Sequence, residues 1–315
     1  MKNFFQFAER NTNYRQETLA GITTFLSMAY ILVVNPLILS QAGMDKGAVF
    51  TATALSAIIG SLLIGLLANF PIGIAPSMGL NSFFTFTVSI GMGVKWEVAL
   101  TGVFIAGVLF VILSLLKIRE KIINVIPQDL KHAIAAGIGF FVAFIGLKNA
   151  GIIVGSQATF VSIGNLTSGP VLLALFGFIV SVIMMVRGIN GGIFYGMVIA
   201  TIVGIFTGLI EKPTAIVGSI PDISPTFGVV FNHLGDIFSP DVLAVIFTFL
   251  FVAFFDTAGA LIAVASQAGL MKDNKIPNAG RALLADAGSA VAGAVLGTST
   301  TASFVESSAG IAVGG

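Results

Sequence analysis

The stretch GTSTTASFVESSAG, Gly297 to Gly310, decides how the rest of the chain is read. It follows directly on the apolar run RALLADAGSAVAGAVLG (Arg281–Gly297). The chain should be crossing a membrane here, yet it turns hydroxyl-rich and carries Glu306. Its first half is rich in Ser and Thr, which compete for backbone hydrogen bonds and disfavour helix interiors. The half after Glu306 is small and helix-compatible. Extended backbone of this kind cannot face lipid, because its N–H and C=O groups would go unsatisfied. It must be buried in protein or line a cavity.

Composition supports that setting. The chain is 56% hydrophobic and 9% charged, with a mean hydropathy of +1.03, whereas a soluble domain carries about 25% charged residues. So few charges cannot cover a water-facing surface, and the sequence predicts an all-α polytopic membrane protein. A net charge of +1 speaks against a nucleic-acid partner. With no Cys, redox compartment and thiol chemistry are uninformative. Two distant His residues make no metal site. His132 reads as an interface residue and His233 as a solvated loop residue. Glycine-rich patterns fall in apolar spans, where helix packing explains them.

A membrane-crossing helix needs about 20 largely apolar residues. Spans are predicted at 18–39, 47–70, 71–91, 96–118, 132–150, 169–187, 191–210, 241–270 and 280–296, with a tenth beginning at Gly297. The polar N-terminal segment lacks the shape of a signal peptide. With the N-terminus inside, Lys and Arg divide 11 to 4 in favour of the inner side, as the positive-inside rule requires. That division needs 71–91 to cross fully, despite Pro71 and Pro76. The inner run 117–131 is read as a surface-lying amphipathic segment. The chain stops at GIAVGG, which reads as a fragment of a longer carrier; a ten-span protein is the alternative.

The third and tenth spans break alike. PIGIAPSMGLNSFFTFTV (71–88) loses backbone donors at Pro71 and Pro76 and is loosened at Gly73 and Gly79. In both spans an extended half runs into a helix. Paired interrupted spans point to a transporter's binding site. They lie seven spans apart, so a repeat of seven, being odd, inverts in the membrane. The two half-helix starts would then face each other, Asn81 near one and Glu306 near the other.

Of 14 carboxylates, three fall within spans: Asp256, Asp286 and Glu306. An ionisable group at that depth is costly and is a functional candidate. A pair of carboxylates in a low-dielectric setting can take up a proton on one side and release it on the other. Carboxylates also accept from N–H donors, which suits a small planar uncharged solute such as a nucleobase. Phe83, Phe84, Phe254 and Phe255 could stack on its ring, although packing bulk explains each of them singly. Met78, Ser303 and Phe304 flank the two breaks and complete the candidate binding set. For Asp286, tying its helix to a broken span is the competing role.

The runs GITTFLSMAYILVVNP (21–36), PSMGLNSFF (76–84), FFDTAG (254–259) and GTSTTASFVESSAG resemble the adenine, guanine and hypoxanthine permeases. These form the azaguanine-sensitivity branch of the nucleobase–cation symporters, and the resemblance covers the whole chain in order. It implies seven plus seven inverted spans, with residues 1–210 the first repeat (spans 1–4 core, 5–7 gate) and 211–315 the start of the second. It implies that Asp256 and Glu306 bind substrate and couple protons, that Asn81 is a polar determinant, and that Asp286 supports them. Ser77, Ser82, Ala258 and Ala260 depart mildly from the family's pattern and could tune which purine is preferred. The expected activity is purine import at the cell membrane, N-terminus cytoplasmic, with H⁺ as coupling ion and no cofactor. Preferred purine, Na⁺ in place of H⁺, and a possible homodimer stay open.

Three rivals were weighed. The same fold could carry uracil, xanthine or an inorganic anion, but two carboxylates at the centre oppose an anion. An intramembrane aspartyl protease would need Asp256 and Asp286 to share a proton, and a Gly-x-Gly-Asp setting is absent. A channel would show a repeated filter, and none is present.

Overall fold

The computed structural model describes residues 4–118, 122, 127–157, 159–189, 191–212, 218–271, 276 and 278–315. Residues 119–121 and 123–126 of the run 117–131 therefore lie outside the described residues, as do Lys2, Lys272 and Lys275. Among the described residues, six stretches are long and apolar enough to cross a membrane. They are Tyr14–Ala42, Lys46–Leu67, Trp96–Leu115, Gly169–Val186, Val242–Gln267 and Ala279–Leu296; Gly192–Phe206 is a shorter apolar helix.

The first span is two helices, α1 (Tyr14–Met28) and α2 (Ile31–Leu39), separated by a turn at Ala29–Tyr30. Asn13 caps α1 by accepting from the Gln16 N–H at 3.0 Å. Pro36 lies inside α2. Helix α3 (Lys46–Leu67) is capped by Asp45, which accepts from the Ala48 N–H at 2.7 Å. The third span begins as strand β1 (Ile74–Pro76), passes into the short helix α4 (Met78–Ser82) and continues as π-helix over Phe83–Gly91. Helix α5 (Trp96–Leu115) follows, then α6 (Gln128–Asn149).

The chain divides into two units, Met1–Ala136 with Ile220–Gly315, and Gly137–Ser219. In the second unit a hairpin, β2 (Ile153–Ser156) and β3 (Phe160–Ile163), precedes α7 (Gly169–Val186) and α8 (Gly192–Phe206). Small residues let α7 and α8 approach closely. A Cβ on Gly177 would lie 2.9 Å from that of Ala200, and one on Gly196 would meet Ser181.

The first unit resumes with α9 (Pro240–Gln267) and α10 (Ala279–Leu296), then strand β4 (Thr301–Ser303), a 3₁₀ turn (Val305–Ser307) and α11 (Ser308–Ala312). Helix α10 packs against both α3 and α5. A Cβ on Gly60 would sit 2.4 Å from Ser289 Oγ, and one on Gly107 3.1 Å from Val291 Cγ2. Phe84, Phe110, Phe249, Leu100 and Leu261 fill the core between these helices.

Strands β1 and β4 pair with each other, antiparallel, with Ile74 opposite Ser303, Ala75 opposite Ala302 and Pro76 opposite Thr301. The ladder is lengthened by Ser77 N–H to Thr300 O and Phe304 N–H to Gly73 O, both 2.9 Å. Each broken span thus satisfies the other's backbone, which answers the cost of extended chain at membrane depth. From this register the two helical halves leave the ladder in opposite directions.

Gly297 makes the turn from α10 into the ladder. Its φ is +99°, and a Cβ there would lie 2.2 Å from Thr226 Cβ. Gly297→Ala is therefore both strained and overpacked. It is expected to lower stability by about 2–4 kcal/mol, read as a fall in melting temperature of the detergent-solubilised protein.

Candidate functional site

The first unit brings the three carboxylates of the spans onto the ladder from different sides. Asp256 lies well inside α9 and is half-buried. Its Oδ2 accepts from Ser77 Oγ at 2.7 Å. Ser77 is the residue between β1 and α4, so the acid of the eighth span reads the break of the third. Asp286, on α10 and buried, accepts from Thr257 Oγ1 at 2.8 Å and from Ser303 Oγ at 3.5 Å. It joins α9 to β4. Asp256 lies within electrostatic range of both Asp286 and Glu306.

Glu306 stands in the 3₁₀ turn directly after β4 and is half-buried. Its Oε1 accepts from Tyr30 Oη at 2.5 Å. Met78 and Phe304 join a small apolar cluster with Met28, Ile31 and Ala75, and Tyr30 packs on the same cluster. So Met78, Phe304 and Glu306 meet around one tyrosine, while Ser303 turns to Asp286.

Asn81 is fully buried. Its Nδ2 donates to Asn35 Oδ1, and Asn35 Nδ2 donates to Thr53 Oγ1 at 2.7 Å and Thr298 Oγ1 at 2.8 Å. This node ties the first, second, third and tenth spans together. Among the described residues Asn81 Oδ1 has no protein partner, and neither do the buried hydroxyls of Ser82, Thr85, Ser89, Ser299 and Thr300. Unsatisfied buried oxygens are uncommon, and these six belong to the two broken spans.

The candidate aromatic platform is largely taken up by itself. Phe83 and Phe84 pack on Phe249, with ring centroids 5.2 and 6.3 Å apart, and Phe254 packs edge-on against Phe255 at 5.2 Å. A cavity of about 470 Å³, lined among others by Thr24, Met28, Ala57, Ser61 and Gly73, touches the start of the third span but none of the three carboxylates. His233, away from this region, pairs with Asp236 at 2.9 Å.

Sequence reasoning does not single out Tyr30 or Asn35, it reads Thr257 only as part of a small polar stripe beside Asp256, and it treats Ser77 only as a departure from a pattern. The available signal was polarity within the span SMAYILVVNP, where a phenol and an amide need partners away from water.

Chemically, the site offers carboxylate oxygens steadied by hydroxyl donors. Among the described residues, neither Asp256 nor Glu306 is in an ion pair with Lys or Arg. Such a centre favours neutral N–H donors over anions. Membrane-length helices around two interrupted spans joined by a mid-chain ladder define a membrane carrier, not an enzyme.

Comparison with known proteins narrows the class. Residues 15–315 match the model of the Permease family, and the chain belongs to that family. It is 58% identical to the guanine/hypoxanthine permease PbuG of Bacillus subtilis, covering 100% of this chain and 73% of that protein. It is 41% identical to the adenine permease AdeP of Escherichia coli, covering 100% of this chain and 70% of that protein. Among solved structures, the transmembrane domain of the cyanobacterial bicarbonate transporter BicA matches with a TM-score of 0.59 at 16% identity. That match covers 96% of this chain and 78% of the BicA domain, and shows a shared fold.

Proposed function

We propose that this protein imports purine nucleobases across the cell membrane by proton symport with alternating access. Asp256 and Glu306 bind the base, and Asp286 and Asn81 hold the broken spans that present them. The observation that carries the reading is the pairing of two steadied carboxylates, Asp256 with Ser77 and Glu306 with Tyr30, where Ser77 and Glu306 follow opposite ends of the β1–β4 ladder. A purine presents N–H groups to such acceptors. The permease relatives named for guanine, hypoxanthine and adenine support the cargo class. The same two acids are the groups able to carry the proton. The excess of Lys and Arg on one side supports a cytoplasmic N-terminus, and spans five to seven would form the gate.

The test is uptake of labelled hypoxanthine into cells that lack their own purine carriers and express the full-length gene product. Unlabelled adenine, guanine, xanthine and uracil serve as competitors, with and without a protonophore. Uptake blocked by purines and by proton collapse is expected. Competition by uracil alone would move the cargo to pyrimidines. Uptake indifferent to the protonophore would remove the proton.

A further inference from the structure

We infer that Tyr30 is a positioning residue of the binding site, which orients the Glu306 carboxylate so that its second oxygen is offered to the incoming base. The inference rests on the reading of Glu306 as the substrate-binding acid and adds a residue and a division of labour to it. The geometry starts in the backbone. The first span is interrupted at Ala29–Tyr30, and the Val33 and Val34 N–H groups both donate to Tyr30 O, at 3.0 and 2.9 Å. Ala29 and Tyr30 keep right-handed helical dihedrals across this break, so the helix itself sets the Cα–Cβ direction of Tyr30. The ring is then held against the apolar cluster containing Met28, Ile31, Ala75 and Phe304.

From that anchorage the phenol reaches Glu306 Oε1 at 2.5 Å, within the usual range of a charge-assisted O–H···O⁻ bond. The phenol has one proton to give, and here it gives it to Glu306. A glutamate side chain loses rotamer freedom when fixed. Tyr30 has already imposed that ordering before the base arrives, and pre-organisation of this kind favours binding. The first span reaches the tenth a second time through Asn35 and Thr298, so Tyr30 stands on an element already registered to the span that carries Glu306. Because Oε1 is engaged, the carboxylate presents one acceptor of defined direction, which selects for a base whose N–H lies in that line.

The experiment measures the affinity of purified full-length protein for labelled guanine and hypoxanthine in five forms: wild type, Tyr30→Phe, Glu306→Asp, Glu306→Ala and the Tyr30→Phe/Glu306→Asp double variant. Tyr30→Phe keeps the ring and removes only the donor. It is expected to weaken binding about tenfold, as for loss of a hydrogen bond to a charged group, with the melting temperature of the ligand-free protein little changed. Glu306→Asp keeps the acid but withdraws it from the phenol, so adding Tyr30→Phe should cost less than a further twofold. Wild-type or tighter binding by Tyr30→Phe overturns the inference. So does an undiminished tenfold loss in the Asp background, which would mean that Tyr30 acts without Glu306. If Glu306→Asp and Glu306→Ala both bind like wild type, the reading of Glu306 itself fails, a result distinct from the other two.

Discussion

Glu306→Ala and Asp256→Ala are each expected to abolish purine uptake, by at least about a hundredfold, while the protein still reaches the membrane in normal amount. The expected size follows from the setting. A site built to pair a buried acceptor with a substrate N–H loses far more than one hydrogen bond when the acceptor goes, because the substrate's donor is then desolvated with nothing to receive it. Two such losses, in affinity and in the proton-coupling role proposed for the acid, multiply. Neither acid anchors the fold by itself. Glu306 is held by one phenol and Asp256 by one serine hydroxyl, so removing either leaves the ladder and the Asn35 node intact. Uptake by transfected cells, normalised to surface protein, checks the prediction. Activity above about a tenth of wild type in either variant would remove that acid from the site.

Asn35→Ala is expected to act in the opposite way, on stability and not on chemistry. Asn35 is fully buried and makes three side-chain hydrogen bonds, to Thr53, Thr298 and Asn81. Interhelical hydrogen bonds within membranes average only about 0.6 kcal/mol each. Three of them therefore account for about 2 kcal/mol, and the cavity left by the amide adds to this. Asn81 suffers most, since its Nδ2 would lose the partner it has while its Oδ1 already has none. The measurement is the melting temperature and monodispersity of detergent-solubilised protein. A fall of several degrees is expected, against no change for Gln41→Ala, an exposed residue on the same span whose amide bonds only to Leu37 O. Equal melting of the two variants would show that the node contributes nothing.

How far the sequence could be read depends on whether each signal is local. Chain segments such as Lys46–Leu67 and Trp96–Leu115 announce themselves because twenty apolar residues in a row have one economical use. The extended halves of the third and tenth spans were legible for a related reason: Pro71 and Pro76 cannot continue a helix, and TSTT disfavours one. That β1 and β4 would pair with each other was not legible, because strand pairing is a statement about two distant segments and each alone is consistent with any partner. The carboxylates stood out because a charge in a span is costly. Tyr30 did not, since in AYILVVNP an aromatic reads as lipid-facing bulk until Glu306 is seen opposite it. The hairpin Ile153–Ile163 was passed over as a connection between spans, where its short apolar alternation carried little weight.

The ladder also sets the order of events at the ribosome. Gly73, whose N–H donates to Ser307 Oγ, precedes that residue by 234 positions. At 5–20 residues per second of synthesis, the first strand emerges on the order of tens of seconds before its mate exists. For that interval the N–H of Ile74 can turn to Ser61 on α3, a contact already present in the nascent chain, but the remaining edge has no hydrogen-bonding companion. The half-made translocation unit must be sheltered by something other than its own sequence until the tenth span is threaded in.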